Sequence, residues 1–149
     1  MNTSTRRRPL PTGEKARRAL ERDWEKRLAT FKKLAAKAPA DLSNDDVHHL
    51  RVTTRRLRAA LWVIRHATQD PPAERIQREL RSLGRALGER RMWDIALGDA
   101  ERYAGDTDEI EKRRKRADTA MRRALRSRAR KLERRLYRMQ RTIPGAMLE

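Results

Sequence analysis

The segment VHHLRVTTRRLRAALWVIRH, Val47 to His66, decides the fold class. Projected at about 100° per residue from His48, its Leu50, Leu57, Leu61 and Ile64 gather between about 160° and 220°. Arg51, Arg55, Arg58 and Arg65 fall between about 260° and 340°, and His66 returns to the His48 direction. A strand would scatter both sets over two faces, whereas one α-helix separates them. The apolar face requires a bundle to bury it. Beside that face stands a ladder of one histidine and several arginines, rising roughly 27 Å from His48 to His66 at about 1.5 Å per residue.

Signals on either side extend this reading. Ser43 and Asp46 have the spacing of a capping box, and Leu42 and Val47 occupy the two positions of a hydrophobic staple, which predicts a helix from about residue 44 to about 67. Upstream, Leu20, Trp24, Leu28, Phe31, Leu34 and Ala38 form one apolar stripe that stops at Pro39. Downstream, Asp70 before Pro71 opens a third helix through Leu80, Leu83 and Leu87. Gly84 and Gly88 then predict a close helix contact or a kink at the join to a separate segment, Glu89 to Tyr103. After Gly105, Asp106 and Glu109 restart a helix toward Thr142, with Met121, Leu125, Leu132, Leu136 and Met139 as its apolar line. The expected fold is all-α, an antiparallel helical bundle of four to five helices. Residues 1–11 are expected to be a disordered basic arm, 12–142 a single helical domain and 143–149 a C-terminal tail.

Charge narrows the function. The chain has 149 residues with 39 Lys+Arg against 21 Asp+Glu, a formal net charge of +18, which points to a polyanionic partner. Of the basic residues 31 are arginines, whose planar fork grips phosphate bidentately. From Lys112 to Arg141 there are 15 Lys and Arg against only Asp118 and Glu133. The absence of cysteine excludes disulfides, thiolate catalysis and Cys-based metal sites. No apolar run of signal-peptide or membrane length appears, so a soluble, cytoplasmic protein without a membrane partner is expected. His48, His49 and Asp45 diverge on a helix and lack a third convergent ligand, so neither a metal nor another cofactor is expected. No P-loop, no HExxH and no cluster of carboxylates is present, which predicts a protein that is not an enzyme.

Cations held at ladder pitch repel one another, and only Asp45 and Asp46 are near enough in sequence to offset them. A linear polyanion would relieve that repulsion, although a merely solvated basic face has the same composition. On this reading His48 donates to phosphate beside Arg51, Arg55 and Arg58. Arg56, about 80° from His48, stands off the ladder and is a candidate partner for Asp94 or for phosphate in another groove. On the last helix, Arg122, Arg126 and Arg130 share a face and are further candidate contacts. Trp62 stands among the arginines, as a rim, cation-π or core residue.

VHHLRVTTRRLRAAL resembles the signature helix of the CHAD domain family, VHxxRVxxRRLRxxL, with matching positions at His48, Arg51, Arg55, Arg56 and Arg58. LGRALGERRMWDI, Leu83 to Ile95, is similar to the family's LGxxRDxDV segment. Gly88, Arg91 and Asp94 match there, while Met92 stands where the family has Asp. The resemblance covers about residues 12–142. It implies a helical fold that binds inorganic polyphosphate through a basic surface without being the catalytic module, with Arg91 added to the binding residues. Complete members look like two four-helix halves related by a pseudo-two-fold axis, so this chain resembles one half, and a homodimer would complete the architecture. Association with polyphosphate granules is the corresponding cellular expectation. The alternative is a sequence-nonspecific nucleic-acid-binding helical protein, for which charge argues equally well. Against it stand the lack of helix-turn-helix spacing and the presence of only six aromatic residues, too few for a base-stacking platform.

Overall fold

A computed structural model describes residues 13–37, 42–68, 71–103 and 105–141 of the chain. The described residues form four helices and no strand: α1 (Glu14–Ala36), α2 (Asn44–Thr68), α3 (Pro71–Arg102) and α4 (Asp108–Gln140). The basic arm, the C-terminal tail, Ala38, Pro39, Asp70, Thr142, Pro144 and Gly145 lie outside the described residues.

Each helix buries the stripe its sequence spacing sets out. Trp24, Leu28, Phe31 and Leu34 of α1, Val47, Leu50, Leu57 and Leu61 of α2, Ile76, Leu80, Leu83 and Leu87 of α3, and Met121, Leu125, Leu132, Leu136 and Met139 of α4 join in one core. The helices pack around a ring, α1 on α2, α2 on α3, α3 on α4 and α4 back on α1, so α2 and α4 stand diagonally. Cross-helix pairs show that neighbours run antiparallel. On α3 and α4, Arg90 meets Asp118, Asp94 meets Arg114, Ser82 meets Arg128 and Glu79 meets Arg135.

The start of α2 is fixed by the expected box. The Asp46 N–H donates to Ser43 Oγ at 3.1 Å, and the Ser43 N–H donates to Asp46 Oδ2 at 3.1 Å. Leu42 and Val47 of the staple are both buried. Lys37 Nζ also donates to Asp46 from the end of α1, at 3.0 Å and 3.1 Å. This ammonium, aided by the Ser43 N–H, holds the Asp46 carboxyl below its ordinary value of 3.8. A depressed folded value means that the contribution is present above the ordinary value and is lost as pH falls through the folded one. Ser43→Ala should cost about 1 kcal/mol in urea unfolding, because it removes one acceptor for the orphan N–H groups of the first turn.

Two expectations at helix ends are corrected. The segment from Glu89 is not separate, because α3 continues through both glycines to Arg102. Nor are the glycines demanded by crowding: a Cβ on Gly84 would meet Thr54 Cγ2 at 3.7 Å, and one on Gly88 would meet Arg51 Nε at 3.6 Å, both ordinary contacts. Gly84→Ala should therefore stabilise the fold by about 0.5–1 kcal/mol, the helix-propensity gain, visible as a raised unfolding midpoint. At the start of α4, Asp106 Oδ1 accepts the Asp108 N–H at 3.0 Å, but Glu109 does not close a box. It pairs instead with Arg113 at 3.1 Å.

Candidate functional site

The two glycine contacts set the register of the α2–α3 seam. Thr54 lies over Gly84 and Arg51 over Gly88, so along this antiparallel pair His48 stands level with Arg91, and Arg58 with Arg81. On α3, Arg81, Gly84, Gly88, Arg91 and Ile95 share an arc of about 80°. One wall of the seam is thus the α2 ladder, the other carries two arginines, and the glycines keep the floor low. Arg51 and Arg55 are exposed, whereas His48, Arg58 and Arg91 are half-buried. The side chains of Arg65 and His66 lie outside the described residues.

None of Arg51, Arg55, Arg58, Arg81 and Arg91 makes an ion pair among the described residues, although acids elsewhere are taken up freely. Successive rungs rise about 4.5–6 Å, so each neighbouring repulsion is roughly 1 kcal/mol in water before screening. Two polar atoms here, His48 Nδ1 and Arg58 Nε, are buried without a hydrogen-bond partner. Each such atom costs about 1–3 kcal/mol until an oxygen or donor meets it. A solvated basic face would leave its polar atoms in water. This seam holds two of them out of it, as α1 and α4 do with Arg27 Nε and Arg122 Nε.

The remaining candidates lie elsewhere. Arg56 is exposed on the other flank of α2 and is not the partner of Asp94, which Arg90 and Arg114 already occupy. Arg122 is half-buried and holds Asp118 at 2.8 Å, while Arg126 and Arg130 are exposed on α4. Because α4 is diagonal to α2, the α4 candidates do not join the seam. Trp62 is 54% exposed, which excludes a core role.

Sequence reading missed Arg90, which is 4% exposed. It donates to Asp94 Oδ1 at 3.1 Å and to Asn44 Oδ1 at 2.9 Å, and it pairs with Asp118 at 3.2 Å. Arg114 reaches the same Asp94 oxygen at 2.6 Å and the same Asn44 oxygen at 3.3 Å. The network ties Asn44, the first residue of α2, to α3 and α4, and so positions the ladder that begins one turn later at His48. Its signal was in the sequence: Arg90 falls on the buried stripe of Leu80, Leu83 and Leu87, with an acid four residues on. Met92 is 52% exposed, so the acid absent there is not a member of this network.

Among the described residues, no group of three or more His, Asp or Glu side chains is placed to hold a metal, and no helix is long and apolar enough to cross a membrane. The family model described as CHAD domain matches residues 22–144. No curated protein and no solved structure matches the chain.

Proposed function

The chain belongs to the CHAD domain family, and from that premise we propose that it binds inorganic polyphosphate along the α2–α3 seam without acting on it chemically. The observation that carries this is the run of unpaired cations, Arg51, Arg55 and Arg58 on one wall and Arg81 and Arg91 on the other, with His48 Nδ1 and Arg58 Nε buried and unpartnered beside them. Successive phosphates of a linear polymer would meet successive rungs. Each contact is charge-assisted and releases condensed counterions. Arg56, on the far flank, is left outside this contact set. Of the carboxylates near the seam, Asp46 is engaged by Lys37 and Asp94 by Arg90 and Arg114, and among the described residues no three acids or histidines gather to hold a metal, which supports a holding role rather than metal-assisted phosphoryl transfer.

A second copy would enclose the polymer. Trp62 is exposed at one end of the seam, and Met92 and Ile95 at the other. A two-fold axis near its middle would set the Trp62 end of one copy on the Ile95 end of the next, with two ladders facing one chain. The cytoplasm, and polyphosphate granules within it, are the setting this reading proposes.

The test is titration with long-chain polyphosphate at about 0.15 M and 0.4 M salt, with mass followed by light scattering. Affinity that persists at the higher salt on a species of twice the 17.5 kDa chain mass is the expected result. Binding that vanishes at the higher salt would sink the seam, and a bound monomer would sink the pairing. Phosphate released from the polymer with a divalent cation present would overturn the non-catalytic reading.

A further inference from the structure

The outward face of α4 carries a second basic array, separate from the seam. Taking Ala117 as origin, the buried Met121, Leu125, Leu132, Leu136 and Met139 lie between about 40° and 100°. Lys112, Arg116, Arg123, Arg126, Arg130 and Arg134 lie between about 180° and 260°, on the opposite side. All six are exposed, and none of their side chains makes a hydrogen bond or ion pair with another described residue. The two acids within this stretch do not neutralise them, since Asp118 is held by Arg90 and Arg122 and Glu133 is half-buried off the stripe. The stripe spans about 33 Å.

The geometry points to a duplex DNA-binding surface on α4, which grips the phosphates flanking a major groove without reading sequence. The array lies along one helix, roughly 10–12 Å in diameter, and the B-form major groove is about 12 Å wide. A helix laid there meets a phosphate wall on each side, which suits cations fanned over an arc of about 80°. A flexible single polyanion is better met by a two-walled seam such as that between α2 and α3. A-form RNA offers a deep, narrow groove that does not admit a helix. Between Lys112 and Arg134 the stripe carries no apolar residue to enter a lipid surface and no Asn or Gln to read a base edge, and the exposed Tyr137 follows one turn beyond it.

The test replaces Arg123, Arg126, Arg130 and Arg134 by glutamine in the full chain. These exposed, unpaired positions lose little helix propensity, and circular dichroism checks that the fold is kept. Duplex DNA affinity should fall on the order of 100-fold near 0.1 M salt, and the log-log salt slope should shrink by roughly 3. Polyphosphate affinity should stay within about threefold, since the seam is untouched. The Arg51→Gln/Arg55→Gln variant should show the reverse pattern. Unchanged DNA affinity or slope in the quadruple variant would overturn the inference, as would loss of both ligands from either variant. Duplex RNA or single-stranded DNA bound as tightly as duplex DNA would also overturn it, because charge alone would then suffice. The DNA arm stands even if polyphosphate fails to bind, so the two readings fail separately.

Discussion

Replacing Arg51 and Arg55 together by glutamine is expected to weaken polyphosphate binding on the order of 100-fold. A hydrogen bond to a charged group contributes about 1.5–3 kcal/mol, and every 1.4 kcal/mol is tenfold, so two such contacts at the low end already reach that figure. These two arginines stand at the middle of the seam, exposed and unpaired, one of them lying over Gly88. Glutamine keeps the helix propensity and removes a mutual repulsion, so unfolding stability should hold or rise slightly. Loss of affinity together with retained stability separates a ligand contact from a structural role. Arg56→Gln, one residue along but on the far flank, should change affinity by no more than about threefold, which controls for the loss of net charge. Isothermal titration of all three proteins decides the matter. A double variant within threefold of the parent, or an Arg56→Gln loss of equal size, would place the ligand elsewhere.

Why α2 was legible and α3 less so follows from the range of the interactions. The Ser43–Asp46 box, the Leu42–Val47 staple and the ladder are all formed within one helix, where spacing alone fixes geometry. The close contact or kink expected at Gly84 and Gly88 rested on their spacing of four, and the propensity cost of the two glycines is only about 1 kcal/mol each. Burial of Leu80, Leu83 and Leu87 on the same stripe outweighs that, at roughly 1.5–3 kcal/mol for each fully buried side chain. The α4 box failed for a related reason: Glu109 had a competing arginine four residues on, which took it. Arg81, and the separation of Arg126 and Arg130 from His48, depend on which helix neighbours which. That information is non-local, and a helical wheel drawn one helix at a time does not contain it. Trp62 was ambiguous for the same reason, since only the position of α3 beside the ladder leaves its ring at the surface.

The largest loss of stability is expected at Arg90, and its size follows from what the side chain leaves behind. Arg90 is 4% exposed, and its guanidinium contacts Asp94, Asp118 and Asn44. Arg90→Ala leaves the Asp94 side chain, itself 2% exposed, with Arg114 alone, and its Oδ2 already lacks a hydrogen bond. Breaking one partner of a buried ion pair costs about 3–5 kcal/mol, a large part of the roughly 5–15 kcal/mol that holds a domain of this size together. The exposed Arg113–Glu109 pair has a comparable length of 3.1 Å, but Glu109→Gln should cost no more than about 0.5 kcal/mol, because water screens it. Distance does not separate these pairs; burial does. Arg90→Ala should also weaken polyphosphate binding without touching the ligand, since Asn44 is no longer tied to α3 and the first rung at His48 loses its anchor. A conservative Arg90→Lys variant keeps the charge but not the fork that reaches Asp94, Asp118 and Asn44 together, so it should recover only part of the stability. Urea unfolding of the three variants beside the parent gives the comparison. An Arg90→Ala loss below about 1 kcal/mol would show that Arg114 alone satisfies Asp94 and that the end of α2 is held by its capping box.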